Sequence, residues 1–111
     1  MSDYTLVRLA ATIASRRSAT AETSYTKSLL DKGVAACAKK FGEEAVEAVI
    51  AAVAESDEKV CAEAADVVFH LLVLLEARNI ALSGVLAELD RRTSQSGHVE
   101  KASRTAAGDP S

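Results

Sequence analysis

The sequence predicts an all-α fold built on an αα-hairpin of two long helices, and three observations lead there. Aromatic residues make up 4% of the 111 residues, tryptophan is absent and Pro110 is the only proline. That is far from the β-branched, turn-rich profile of a sandwich or barrel. Apolar residues, chiefly Ala, Val and Leu, recur three and four positions apart along most of the chain, which is the period of a helix with one buried face. Two long stretches of that recurrence, starting at Val34 and at Asp57, are separated only by a short polar break at Ser56, so they pair as antiparallel neighbours.

The elements follow in order. Leu6, Leu9, Ala10, Ile13 and Ala14 fall at helical spacing, so residues 3–17 form an amphipathic helix with Asp3 as N-cap and Arg16-Arg17 at the end the helix dipole favours. Ser18 to Thr23 is a small, polar connector, and Ser24-Tyr25-Thr26-Lys27-Ser28-Leu29-Leu30 predicts a short helix ended by Gly33. From Val34 to Glu55 the pattern returns at length, with Val34, Cys37, Phe41, Ala45, Ala48, Val49, Ala52 and Val53 as its apolar face. Gly42 interrupts it, at a cost of about 1 kcal/mol relative to alanine that the close approach of a neighbour would offset. Ser56 or Asp57 caps the second long helix, which runs to Arg78 and stops at Asn79. A last short helix, Ser83 to Arg92, buries Leu82, Val85, Leu86 and Leu89. Residues 93–111 hold Val99 as their only large aliphatic, so a disordered tail is expected after a single domain spanning 1–92.

Composition also excludes function classes. Sixteen acidic against thirteen basic residues give a formal charge of −3, which argues against a nucleic-acid partner held by phosphate neutralisation. The start, Met1-Ser2-Asp3-Tyr4, has neither a basic nor an apolar leader region, and the longest apolar stretch, Val67 to Leu75, is far short of the roughly 18 residues of a membrane span. A soluble, cytoplasmic protein with no membrane partner is expected. Cys37 and Cys61 lie in apolar helical patterns away from any metal-ligand spacing, so both are expected to be reduced core thiols. Val67, Val68, Phe69, Leu71, Leu72, Val73, Leu74 and Leu75 cover the whole circumference of their helix, and a helix apolar all round must be surrounded. One short chain has too few helices for that, so a homodimer with a four-helix-bundle-like core is expected.

The chemistry lies in the acids. Lys40, Glu44 and Glu47 share one stripe of the first long helix, and Glu63, Asp66 and His70 share one stripe of the second. In a packed hairpin the pairs Glu44-x-x-Glu47 and Glu63-x-x-Asp66 can face one space, where four like charges repel unless a cation joins them. Carboxylate oxygens suit Mg²⁺, with Mn²⁺ as the alternative, and Mg²⁺ characteristically completes its octahedron with waters and substrate phosphates. The plainer alternative is a set of solvated acids on charged helix faces. A di-iron site is excluded, because the residues three before His70 and His98 are Val67 and Gln95 and such sites need Glu-x-x-His pairs. His70 itself is either a core histidine or a partner of Asp66 or of a substrate.

The run Lys40-Phe41-Gly42-Glu43-Glu44-Ala45-Val46-Glu47-Ala48-Val49-Ile50-Ala51-Ala52, then Glu63-Ala64-Ala65-Asp66-Val67-Val68-Phe69-His70-Leu71-Leu72-Val73-Leu74-Leu75, with Ser24-Tyr25-Thr26 upstream, closely resembles the phosphoribosyl-ATP pyrophosphatases. These are histidine-biosynthesis enzymes of the all-α, MazG-like nucleotide pyrophosphatase superfamily. The paired acids mark the superfamily, and the longer phrases mark this member of it. The resemblance implies Mg²⁺-dependent hydrolysis of 1-(5-phosphoribosyl)-ATP to the AMP derivative and pyrophosphate, the second step of the pathway. It implies Glu44, Glu47, Glu63 and Asp66 as metal ligands and Lys40 and Lys39 as polyphosphate contacts. Ser24, Tyr25 and Thr26 shape the nucleotide site or simply start a helix with a packed ring, and Glu43 is an outer group or a surface residue. Phe69 stands where tyrosine is common in relatives, which removes a hydroxyl. The chain has neither the length nor the Cys/His set of a fused cyclohydrolase, so it looks monofunctional.

Cleaving an α–β phosphoanhydride requires neutralised phosphate charge and a positioned water, and metal ions held by carboxylates supply both. One glutamate must accept the water's proton, and Glu47 is the first candidate with Glu44 behind it. Two rival functions share these features. A house-cleaning pyrophosphatase would act on free or non-standard nucleoside triphosphates, and a non-catalytic helical dimerisation module would bind neither nucleotide nor Mg²⁺. For the extra ribose phosphate, Arg16, Arg17, Arg91 and Arg92 qualify by charge alone, against the plainer reading of solvated helix ends.

Overall fold

Residues 3–94 are described by the computed structural model. Among them the order is α1 (Asp3–Ser15), a 3₁₀ turn (Arg16–Ser18), α2 (Tyr25–Asp31), α3 (Val34–Ala54), α4 (Asp57–Ala77) and α5 (Leu82–Thr93), with no strand. None of these helices is long and apolar enough to cross a membrane. The tail expected from residue 93 lies, apart from Thr93 and Ser94, outside the described residues, and Asp3, expected as an N-cap, is instead the first helical residue of α1.

One compact unit extends to Ile80. Its main packing is α3 against α4, with α1 and α2 also laid on α4. Ser56 begins α4, its Oγ accepting a hydrogen bond from the Lys59 amide at 3.3 Å, and this side-chain cap is what a two-residue break between long helices needs. The other end of α4 turns at Asn79, which adopts φ 61° while the Ile80 amide donates to the Leu75 carbonyl at 2.9 Å. Asparagine tolerates that left-handed conformation better than most residues. Arg17 secures the same end. It pairs with the Glu76 carboxylate and donates to the Glu76 carbonyl and, at 3.0 Å, to Asn79 Oδ1. The arginine thus joins the 3₁₀ turn to the last carbonyls of α4 instead of ending α1 in solvent.

The apolar face expected of α3 needs correction. Cys37, Glu44 and Ala51 are buried and Phe41, Ala45 and Ala48 half-buried, so the covered stripe is made mostly of small residues. Val49 is 63% and Val53 84% exposed, and Val46 and Ile50 lie open beside them. Alanines let two helix backbones approach closely, and the valines project from the other side of the cylinder. Gly42 is no close-approach point in this chain, since a Cβ built there meets nothing within 4 Å. Cys37 is buried as expected, but Cys61 is exposed, because its position on α4 lies off the stripe that faces α3. In α1, Ile13 is buried and Leu9 and Ala10 half-buried, whereas Leu6 and Ala14 are exposed. Of the eight apolar residues around α4, only Leu72 and Val73 are fully buried.

A second unit begins at Ala81 and contains α5. Leu82, Val85 and Leu86 are half-buried and Leu89 is 49% exposed, so the burial expected of this helix is only partial. Its polar side is fastened by Glu88, which accepts from Arg91 Nη2 at 2.7 Å and Arg92 Nε at 2.9 Å. Those two arginines hold the Glu88 carboxyl down at about 2.

Candidate active site

Packing of the hairpin explains why two acids lie in its interior. Glu44 falls on the small-residue stripe of α3 that faces α4, and Glu63 shares a stripe of α4 with His70. Each glutamate is 7% exposed. One oxygen each from Glu44, Glu63 and Asp66 lie within 4.8 Å of one another, Asp66 being the exposed member. Three of the four predicted ligands therefore meet. Glu47 is exposed and stands outside that closest group. The negative charge of Glu44, then partial loss of water, then the charge of Glu63 push its carboxyl above the ordinary range, which places it beside the cluster.

A lysine four residues ahead answers each buried glutamate. Lys40 Nζ lies 3.2 Å from Glu44 Oε2 and Lys59 Nζ lies 3.1 Å from Glu63 Oε2. The hydrogen bond to its glutamate is the main cause holding each ammonium above its usual range. Lysine ahead of glutamate is the less favourable order for an isolated helix, so the repeated arrangement serves the acids more than the helices. The second oxygen of Glu63, Oε1, is buried and has no hydrogen-bond partner. An orphaned carboxylate oxygen inside is costly, and here it sits on one of three converging hard-oxygen donors. This donor set fits a divalent cation of the Mg²⁺ or Mn²⁺ kind.

An aromatic corner adjoins the acids. The Tyr25 and Phe69 rings are stacked with centroids 6.3 Å apart, and His70 meets Phe69 edge-on at 5.1 Å and Tyr25 at 6.1 Å. His70 is 5% exposed. Burial pushes its imidazole down, Glu44 pulls the other way, and Lys40 and then Asp66 add smaller contributions, downward and upward respectively. Its observed contacts are those of a packed ring that supports Tyr25. Ser24 is the N-cap of α2, its Oγ accepting from the Lys27 amide at 3.1 Å, and Thr26 is buried beside it. Of the three, Tyr25 is the one left open, at 56% exposure. Phe69 fills its place through its ring, with no need of a hydroxyl.

Lys40 also reaches Glu43 at 4.0 Å, and Lys39 and Glu43 are exposed. Arg17, Arg91 and Arg92 are engaged with Glu76 and Glu88, which favours the helix-end reading of these three. Sequence reasoning passed over Lys59, although its spacing to Glu63 repeats that of Lys40 to Glu44. It also passed over Lys32, which no local spacing connects to the acids.

Comparison with known proteins bears on this geometry. Residues 6–93 match the profile of a family described as phosphoribosyl-ATP pyrophosphohydrolase. The phosphoribosyl-ATP pyrophosphatase of Dinoroseobacter shibae is 59% identical over 99 residues, covering 89% of this chain and 97% of that protein. Phosphoribosyl-ATP pyrophosphatase 1 of Rhodopseudomonas palustris is 57% identical over 104 residues, covering 94% of this chain and 97% of the relative. The phosphoribosyl-ATP pyrophosphatase of Paracoccus denitrificans is 59% identical over 99 residues, 89% of this chain and 92% of its own length.

Proposed function

The chain belongs to the phosphoribosyl-ATP pyrophosphohydrolase family, and from that premise we propose how its residues perform the hydrolysis of phosphoribosyl-ATP in histidine biosynthesis. The observation that carries the proposal is the convergence of Glu44, Glu63 and Asp66 within 4.8 Å around a buried oxygen that lacks a partner. These three hold Mg²⁺ or Mn²⁺, with Glu47 completing the set or standing next to it. The bound cation supplies charge neutralisation and orientation for the triphosphate.

The chain's own groups do the rest. Glu47, open to solvent and raised by its acidic neighbours, accepts at a carboxylate oxygen the proton of the water that attacks the α-phosphorus. Its place at the solvent-open edge of the acid cluster lets it meet a water there. Glu44 is the second candidate for that role, but its pairing with Lys40 favours a holding function. Lys40 and Lys39 meet the polyphosphate, Glu43 tempers their charge, and Tyr25, supported by Phe69 and His70, offers its exposed ring to the nucleotide. Ser24 and Thr26 act through the helix start that sets Tyr25 in place.

A homodimer belongs to the same proposal. It is supported by the uncovered row Val46, Val49, Ile50 and Val53 on α3, whose spacing repeats the apolar stripe of a helix that packs on a neighbour. A cytoplasmic location is supported by the two unpaired cysteines, which a reducing compartment keeps as thiols.

The test is pyrophosphate release from phosphoribosyl-ATP, compared with ATP and deoxynucleoside triphosphates, with and without Mg²⁺. Turnover of phosphoribosyl-ATP that requires the cation is expected. Glu47→Gln should lower it by about a hundredfold or more while leaving the circular dichroism spectrum unchanged. Activity within about threefold of the parent would remove Glu47 from the chemistry, and turnover of the free triphosphates alone would overturn the substrate.

A further inference from the structure

Beside the acid cluster, α2 and α3 border an open groove of about 200 Å³ lined by Leu29, Lys32, Ala36, Lys39, Lys40 and Glu43. Gly33, at φ 93°, turns the chain from α2 directly into α3, a conformation only glycine takes up freely. The Cys37 thiol donates to the Leu29 carbonyl at 3.2 Å, which ties the two helices together beneath it. Three lysines face one carboxylate in this groove, and among the described residues neither Lys32 nor Lys39 takes part in an ion pair. Uncompensated ammonium groups in a concavity fit a phosphoryl group, whose oxygens accept from several donors at once. Lys40 joins the groove to the catalytic acids, since it lines the one and pairs with Glu44 at 3.2 Å.

We propose that this groove is the leaving-group subsite, taking the β- and γ-phosphates that depart as pyrophosphate, and that Lys32 is one of its binding residues. The inference rests on the hydrolysis assigned above. In that reaction the water oxygen bonds to the α-phosphorus, and the bond from that phosphorus to the bridging oxygen breaks. The electron pair leaves with the pyrophosphate, and the water's proton passes to the glutamate. Negative charge therefore grows on the departing fragment, on the side where the acids give way to lysines. The substrate's other phosphate, on the added ribose, lies across the adenine from the triphosphate and so away from this edge of the cluster.

Calorimetric titration of the full chain with inorganic pyrophosphate and, separately, with phosphoribosyl-AMP distinguishes the two phosphate sources. Lys32→Gln should weaken pyrophosphate binding by about three- to fivefold, the loss of one exposed charge contact, and product inhibition by pyrophosphate should weaken equally. Lys32→Arg should restore both, and affinity for phosphoribosyl-AMP should stay within about twofold of the parent. Lys32 is exposed, so thermal melts of both variants should match the parent. Unchanged pyrophosphate affinity in Lys32→Gln, or no binding by the parent, would overturn the proposal. A loss confined to phosphoribosyl-AMP would overturn it too and assign the groove to the ribosyl phosphate. Any of these results with phosphoribosyl-ATP still hydrolysed leaves the catalytic reading intact, whereas a parent chain that fails to hydrolyse phosphoribosyl-ATP defeats that reading itself.

Discussion

Glu63 shows how one residue can be unfavourable for folding and useful for function. One of its oxygens pairs with Lys59 while the other is buried without a partner, close to two more carboxylates. A cation bound there stabilises the folded chain through linkage, since the unfolded chain does not gather these ligands. Mg²⁺ should therefore raise the melting temperature by several degrees, and Glu63→Gln should abolish that rise in differential scanning calorimetry. An equal rise in the variant would separate the cation from Glu63. Glu47 gives a pH signature with a definite sign. Its carboxyl is raised above 4.5 in the folded chain, so as pH increases the unfolded chain releases this proton first. Stability is then lost as pH rises through the folded value, and the loss persists at neutral pH. In EDTA, Glu47→Gln should consequently stabilise the chain against urea near about pH 7 and confer no such gain near about pH 4. A gain independent of pH would show that the neighbouring charges are not its cause.

At the level of elements, the ends of α4 carry as much of the argument as its middle. Ser56 caps its start, and Arg17 closes its finish through Glu76 and Asn79. Arg17→Ala removes an ion pair and two hydrogen bonds at a site that is half open to water, so a loss of about 1 kcal/mol in urea denaturation is expected, well below what a buried pair would cost. A change below the error of the measurement would show that the contacts are dispensable. This clamp is invisible to helical periodicity, because Arg17 and Glu76 are 59 positions apart. The Ser56 cap and the Asn79 stop, by contrast, could be read directly, because capping and the left-handed turn depend on the residue at the position itself. The same holds for Ser24 at α2, whose hydroxyl caps the helix by accepting from the Lys27 amide.

For the whole molecule, the open stripe of α3 is the feature on which the proposed homodimer rests. Val46, Val49, Ile50 and Val53 are 59%, 63%, 53% and 84% exposed, an arrangement that a second copy would cover in the proposed homodimer. Val49→Glu combined with Val53→Glu should convert the dimer to a monomer in analytical ultracentrifugation, because burying two carboxylates in an apolar contact costs more than the contact returns. A dimer that survives both changes would move the interface elsewhere. The periodicity of α3 had marked Val49 and Val53 as buried, and both turn out open in the single chain. A helix with two apolar stripes satisfies its hydrophobic pattern whichever stripe faces inward, and only the match of small residues to α4 selects between them.

By itself the sequence determined the helices, their order, the cap at Ser56 and the stop at Asn79, the one-turn spacing of the acids and the family phrases. All of these reside in contiguous residues, where the 3.6-residue period and single-position preferences act. Tertiary structure alone decided which acids lie inside and which stand at the edge, that Cys37 is covered and Cys61 is not, and that Lys32 shares a groove with Lys39 and Lys40. It also decided that Arg17 belongs to the end of α4. Each of these depends on the rotation of one helix about its axis relative to its neighbour. That angle is set by the sum of packing contacts across the hairpin, and no local pattern contains it.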